Sequence, residues 1–456
     1  MYLKQLVQIA IFTISIAACA LIWPSTALAV PSFARQTGMS CAACHTVPPQ
    51  LNTFGRYFKL HGYTLGGDKL SGGNDKLSID KFPPLSAMAI MSDTITKSAQ
   101  PDSQVSGSDA QNGTAAFPQQ LSLFYAGAID TNMGVFSQIT YAQPDDHLSM
   151  DNTDVRYAQD STWAGSPVVW GFTLNNNPTV QDVWNSTPAW GFPYIGSESA
   201  PSPSASPVLA GAFGQQVAGL GAYAWWNNSI YGELTLYRTS QVGSPQPFDS
   251  SSADVVSGFA PYWRVAWEHP WAGSGGSQHD LEVGLLGMSA HLYPGAGSAL
   301  TGSTNNFTDT GVDAQYQYFT GNNSLTVHGI FLHEKQDWSA ASQAGAANPS
   351  DTLNYLKADA SYYWNNGYGP TVAYFKTTGS TDTLLYSPAA VAGSLTGSPD
   401  SSGWILQWTW VPDLNVQISA QYIIYSKFNG ASTNYDGAGR NASGNNTLYL
   451  AAWLLW

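Results

Sequence analysis

From Ser86 onward the chain alternates apolar and polar positions in runs that are broken by Gly-, Asn-, Ser- and Asp-rich stretches. A two-residue period is that of a β-strand whose faces meet unlike surroundings. The runs have the length of tilted membrane strands. They fall near 86–96, 118–129, 133–143, 153–163, 166–175, 216–226, 230–239, 259–269, 279–291, 309–319, 324–336, 352–364, 368–377, 402–411, 414–426 and 446–456. The pattern predicts about sixteen antiparallel strands. The breaks also alternate. Short links stand at 130–132, 164–165, 227–229, 271–277, 320–323, 365–367 and 411–413, and mostly long ones such as 97–117, 176–215 and 378–401 lie between them. Short turns on one side and long loops on the other mark an outer-membrane β-barrel. An even strand count puts both barrel ends on the periplasmic side. In Tyr262–Glu268, Arg264 and Glu268 share one face, assigned to the lumen. The last strand repeats Leu448, Leu450, Ala452, Leu454 and Trp456 and ends on an aromatic. Its other phase, with Tyr449 and Trp453, is also apolar, so this strand alone leaves its lipid-facing side open. The loop 176–215 is rich in aromatics, and both an inward fold that narrows the pore or covers a cofactor and an ordinary ordered surface loop fit it.

Composition points the same way. Only 10% of residues are charged, with 17 Trp, 24 Tyr and 44 Gly, against about 25% charged in soluble proteins. Few charges and many aromatics suit a lipid-facing barrel with aromatic girdles and argue against a soluble sandwich or propeller. A net charge of −14 argues against nucleic acid as a partner.

Residues 1–29 read as a signal peptide, with Lys4 in the basic region, an apolar stretch from Leu6 to Trp23, and Ala27-Leu28-Ala29 as the cleavage site. Ile16-Ala17-Ala18-Cys19 loosely resembles a lipobox and is the competing reading. Residues 30–85 then form a short segment and linker ahead of the barrel at 86–456.

That short segment carries the clearest chemistry. Cys41-Ala42-Ala43-Cys44-His45 is a C-x-x-C-H box, the attachment pattern of a c-type haem. Its thiols form thioethers to the vinyl groups, and His45 is placed to ligate the iron proximally. Zinc would need further ligands, and no second Cys/His pair stands nearby in sequence. The expectation is one covalent haem c on Cys41, Cys44 and His45. Pro48-Pro49 suits a first helical turn. Leu51, Phe54, Phe58 and His61 then share one helical face, with Gly62 as a C-cap. The distal ligand stays open between His61 and Met88, with Met91 or a water-ligated iron as alternatives; packing explains His61 equally well, and plain strand side chains explain Met88 and Met91 better, each taken singly. Arg35, Arg56 and Lys59 are candidates for haem propionates, and Asp145, Asp146 and His147 for a surface iron site, although solvent-facing roles suit them all.

The leader, Phe33-Ala34-Arg35-Gln36-Thr37-Gly38, the haem box, Phe54-Gly55-Arg56, Phe58-Lys59 and Gly62-Tyr63 together resemble the fused monohaem cytochrome c–porins of iron-oxidising bacteria. The resemblance implies a mainly β protein: a sixteen-stranded outer-membrane barrel behind a short α-helical haem segment. It also implies extracellular electron transfer, with Fe(II) or another extracellular donor oxidised at the outer membrane and a periplasmic cytochrome as acceptor. The haem segment is then expected on the periplasmic side or inside the lumen, and Fe(II) oxidase activity is the expected chemistry. A cytochrome–porin serving a non-iron donor or acceptor, and a diffusion porin with a structural haem segment, are the competing readings.

Overall fold

The computed structural model describes residues 30–66, 84–100, 111–142, 147–240, 255–293, 302–339 and 345–456. The expected leader, the linker at 68–80, Asp145, Asp146 and the side chain of His147 lie outside the described residues.

Sixteen long strands close into an antiparallel barrel. They are β1 Leu85–Gln100, β2 Gln111–Ala128, β3 Met133–Ala142, β4 His147–Trp163, β5 Ser166–Asn175, β6 Val217–Trp226, β7 Ile230–Thr239 and β8 Ala260–Ala272, followed by β9 Gln278–Tyr293, β10 Asn305–Thr320, β11 Asn323–Asp337, β12 Ser350–Tyr363, β13 Tyr368–Gly379, β14 Ser401–Asp413, β15 Val416–Lys427 and β16 Thr447–Leu455. A further short strand, Val255–Val256, pairs with the outer end of β9. Each long strand pairs with its chain neighbours, and β1 closes the ring by pairing with both β2 and β16, so that Met88 stands opposite Ser122 and Leu455. Closure leaves no unpaired edge for a bilayer to desolvate.

The predicted strands coincide with these to within a few residues, apart from early starts at β4, which begins at His147 against an expected 153, and at β2. β2 begins at Gln111, ahead of the expected start at 118. Pro118 reads as a strand start because it has no N–H to donate. The ladder absorbs it instead in an irregularity, passing from Ile90↔Gln120 to Ser92↔Ala116.

Tight turns bound the barrel at one end. Ala164-Gly165 (φ 50° and 80°) and Asn227-Asn228 (φ 53° and 51°) have positive φ at both central residues. That is the type I′ geometry whose twist matches the flanking strands. The faces are inverted relative to a soluble protein. On β8, Trp263, Val265 and Trp267 point outward and are exposed, whereas Arg264 and Glu268 point inward and are buried, as the alternation predicts. β14 repeats this with Trp404, Leu406, Trp408 and Trp410 outside. On β16 the structure decides the open phase: Thr447, Tyr449 and Ala451 are buried on the inner side.

Two parts of the chain enter the lumen, one from each end. At the short-turn end, residues 30–66 fold inside it as α1 Pro31–Thr37, a 3₁₀ turn at Cys41–Ala43, and α2 Thr53–Leu60. Pro31 opens α1, and Gly38 closes it in the left-handed region at φ 68°, with its N–H donating to the Ala34 carbonyl. α2 begins later than Pro48-Pro49 suggests. Its N-cap is Asn52, whose side-chain oxygen accepts from the Gly55 N–H at 3.0 Å. The residues before it instead form a tight loop in which His45 bridges to Leu51 and the Thr46 N–H donates to the Gln50 carbonyl. From the other end, the connection between β5 and β6 folds inward and runs along the inner wall. The Asp182 carboxylate meets Arg264 of β8, Thr94 of β1 meets Ser197, and the Leu209 N–H donates to Asp309 of β10. Of the alternatives for this loop, the inward fold is the one observed.

Candidate cofactor site

Buried polar contacts set the N-terminal segment into the barrel. The Arg56 guanidinium on α2 pairs with Glu268 of β8 at 2.9 Å and with Asp280 of β9, and also donates to Gln315 and Gln317 of β10. At the C-terminus of α2 the wall supplies donors for the carbonyls that a helix end leaves free. Tyr223 of β6 donates to the Leu60 carbonyl at 2.7 Å, and Arg156 of β4 to the Lys59 carbonyl at 3.3 Å. Gln36 on α1 donates to the Tyr63 carbonyl and accepts from the Ala128 N–H of β2, both within 2.8 Å.

Between this segment, the wall and the inward loop lies a cavity of about 380 Å³, within the range of small-molecule and cofactor pockets. Cys41, Cys44 and His45 line it from the segment; Met88, Phe124, Phe136, Trp453 and Leu455 line it from β1, β2, β3 and β16; Asn185, Trp190 and Tyr194 line it from the loop. The loop is pinned there. Asn185 accepts from the Leu51 N–H at 2.9 Å, Gln50 donates to the Tyr194 hydroxyl at 3.3 Å, and the Trp190 indole donates to the Val180 carbonyl at 2.7 Å.

These residues fit a c-type haem. Neither Cys41 nor Cys44 is in a disulfide, and both thiols border the same space as the imidazole. The His45 Nδ1 is buried without a hydrogen-bonding partner. Burial pushes this imidazole down to about 4 against the opposing pull of the Pro49 and Gln50 carbonyls, so it is neutral, the form that ligates iron. Burial, with Cys41 beside it, raises the Cys44 thiol to about 11. The box and α2 pack so closely that a Cβ on Gly55 would stand 2.2 Å from the Cys44 carbonyl oxygen, which only glycine permits.

The other predicted residues separate. Met88 borders the cavity and is 3% exposed. Met39 also borders it but is 42% exposed. His61 is buried away from the cavity, with Nδ1 2.8 Å from the Tyr57 carbonyl and Nε2 3.1 Å from Asp160 of β4. Met91 is on the opposite face of β1 from Met88. Arg56 is engaged by the wall, and exposed Arg35 donates to the Leu85 carbonyl. Lys59 borders the cavity, its ammonium donating to the Val180 and Asp182 carbonyls at 2.8 and 2.7 Å and lying 4.5 Å from the Trp190 ring centre. Burial first, and then the Arg156 charge, bring it down to about 7. Asp182 moves the other way: burial would raise it, but Arg264 and the N–H groups of Trp184 and Thr187 hold it near 2.

Apart from Met88, sequence reasoning did not find the wall side of the cavity. Phe124, Phe136 and Trp453 sit in strands where an inward aromatic reads no differently from an outward one. For Trp190 and Tyr194, the aromatic density of their loop was the available signal.

No protein-family model matches the chain, and no curated protein matches it. Among solved structures, the chain is similar to OmpF of Salmonella typhi in complex with daunomycin, at 12% identity and a TM-score of 0.44 over 82% of this chain and 97% of that one. It is similar to the outer-membrane channel DcaP of Acinetobacter baumannii at 10% identity and a TM-score of 0.43, over 82% and 96%. OmpT of Vibrio cholerae matches at 9% identity and a TM-score of 0.40, over 82% and 96%. At this level the likeness is one of outline and carries no cofactor, substrate or partner to this chain.

Proposed function

We propose that this porin-like barrel is an outer-membrane electron-transfer protein that holds one covalent haem c in its lumen. In this reading it takes electrons from an extracellular donor, Fe(II) foremost, and passes them to a periplasmic cytochrome. The observation that carries it is the meeting of Cys41, Cys44 and His45 at one lumen cavity walled mostly by apolar side chains. A haem bound there supplies a one-electron centre. The residues of this chain do the rest. Cys41 and Cys44 hold the group covalently, and His45 presents a neutral ring nitrogen. Phe124, Phe136 and Trp453 keep the surroundings apolar, which favours the less charged state of an iron centre. Trp190 and Tyr194 bring the inward loop against the cavity.

The two inserted segments favour the electron-transfer reading over free diffusion through the barrel. The N-terminal segment and the inward loop enter the space that an open channel of sixteen strands would leave to water. The exposed Met39 and Ser40 at the cavity margin, beside α1 at the short-turn end, offer an approach for a periplasmic acceptor.

The test begins with the purified full-length protein in detergent. Covalent haem is assayed by pyridine haemochrome in the wild type and after Cys41→Ala with Cys44→Ala. The oxidised protein is then mixed anaerobically with Fe(II) while its haem bands are followed. Covalent haem lost in the double variant, together with reduction by Fe(II), is the expected result. Haem that dithionite reduces and Fe(II) does not would move the donor away from iron. Absence of covalent haem would refute the electron-transfer reading.

A further inference from the structure

We propose that Met88 of β1 is the second axial ligand of the lumen haem, so that iron ligation joins the N-terminal segment to the barrel wall. This rests on the haem reading above. His45 enters the cavity from the N-terminal segment, whereas Met88 enters it from the wall. Met88 packs with Ile90, Phe124 and Leu455, and Phe33 and Phe136 lie against that cluster.

The remaining donors of the cavity are engaged or badly placed. Lys59 gives its ammonium protons to the Val180 and Asp182 carbonyls. The Tyr194 hydroxyl accepts from Gln50. Asp151 accepts from Thr140 at 3.1 Å and from Gln215 at 2.7 Å. Met39 is exposed and lies two residues before Cys41, on the segment that already carries His45. His61 has both ring nitrogens partnered outside the cavity. Among the described residues that border the cavity, Met88 alone combines a soft donor, burial and a position on the wall. A thioether opposite histidine raises a haem potential, which suits an acceptor for a donor as weakly reducing as Fe(II). The side is fixed by the ladder: Met88 pairs with Ser122 and Leu455, and a slip of one residue would turn it outward.

The experiment uses full-length protein as wild type, Met88→Leu, Met88→His, Met39→Leu and His61→Ala. It reads covalent haem, the sulfur-to-iron charge-transfer band of the ferric state, the reduction potential and the rate of cyanide binding. Leucine keeps the apolar volume, so Met88→Leu is expected to retain covalent haem, lose the band, fall in potential and bind cyanide faster. Met88→His is expected to restore slow cyanide binding at a lower potential. Met39→Leu and His61→Ala are expected to keep the band. Covalent haem with the band unmoved by Met88→Leu, or a band lost in His61→Ala or Met39→Leu instead, would overturn the assignment while leaving the haem reading intact. A wild type without covalent haem would overturn that reading, and the ligand with it.

Discussion

Arg56 holds the N-terminal segment inside the barrel, and its removal is the sharpest perturbation of the lumen. Its side chain is 2% exposed, and those of its partners Glu268 and Asp280 are 5% and 3% exposed. Breaking a buried pair by deleting one partner costs about 3–5 kcal/mol, because it strands the opposite charge. Here two carboxylates lose the one guanidinium, and Gln315 and Gln317 lose a donor. At about 1.4 kcal/mol per tenfold, Arg56→Ala should lower the ratio of seated to unseated segment by roughly two to three and a half orders of magnitude. Arg56→Lys keeps the charge but not the fork that reaches both acids, and should fall between. The assay is single-barrel conductance in planar bilayers, with limited proteolysis of the N-terminal segment alongside. The wild type should conduct little and resist cleavage; Arg56→Ala should show frequent openings and cleavage ahead of Leu85. Conductance and protection unchanged from wild type would refute the view that this ion pair seats the segment.

Gly55→Ala drives a Cβ to 2.2 Å from the Cys44 carbonyl oxygen, so α2 and the box must move apart. A cost of about 1–3 kcal/mol is expected for such overpacking, seen as a lower yield of covalent haem at normal barrel assembly. Val265→Arg places a charge on the outer face of β8, where Val265 is 51% exposed. Destabilisation of about 2–4 kcal/mol is expected if the site lies at mid-bilayer, measured by urea titration in lipid vesicles. Lys59 has an ordinary pKa of 10.5 and a folded value near 7. Between those values the unfolded chain binds more protons, so stability should rise as pH goes from about 7 to 10 and be lost again on return. Lys59→Met should flatten that rise in pH-dependent unfolding, and an equal slope in both proteins would rule out Lys59 as its source.

The barrel itself was legible in the chain because a membrane wall imposes two local rules. Side chains alternate between lipid and lumen, and short turns alternate with long loops. Arg264 and Glu268 show the first rule and Asn227-Asn228 the second, and neither needs a distant contact to be read. The Cys41–His45 box was legible as a pattern for the same reason, since its thiols and imidazole are chain neighbours. What the chain left open was whatever depends on contacts between distant residues. His61 and Met88 are both candidate ligands in sequence, and only closure of β1 against β16 brings Met88 to the cavity while β4 holds His61 away. The two faces of β16 are both apolar, and the segments inside the barrel decide between them, because Trp453 and Leu455 have the N-terminal segment and the loop to pack against. Arg56 reads as a surface cation until β8 and β9 bring two buried carboxylates to it. Strand periodicity is a property of adjacent residues and survives in the sequence; a lumen site is assembled from a helix, a loop and several strands, and its partners are chosen only when the barrel shuts.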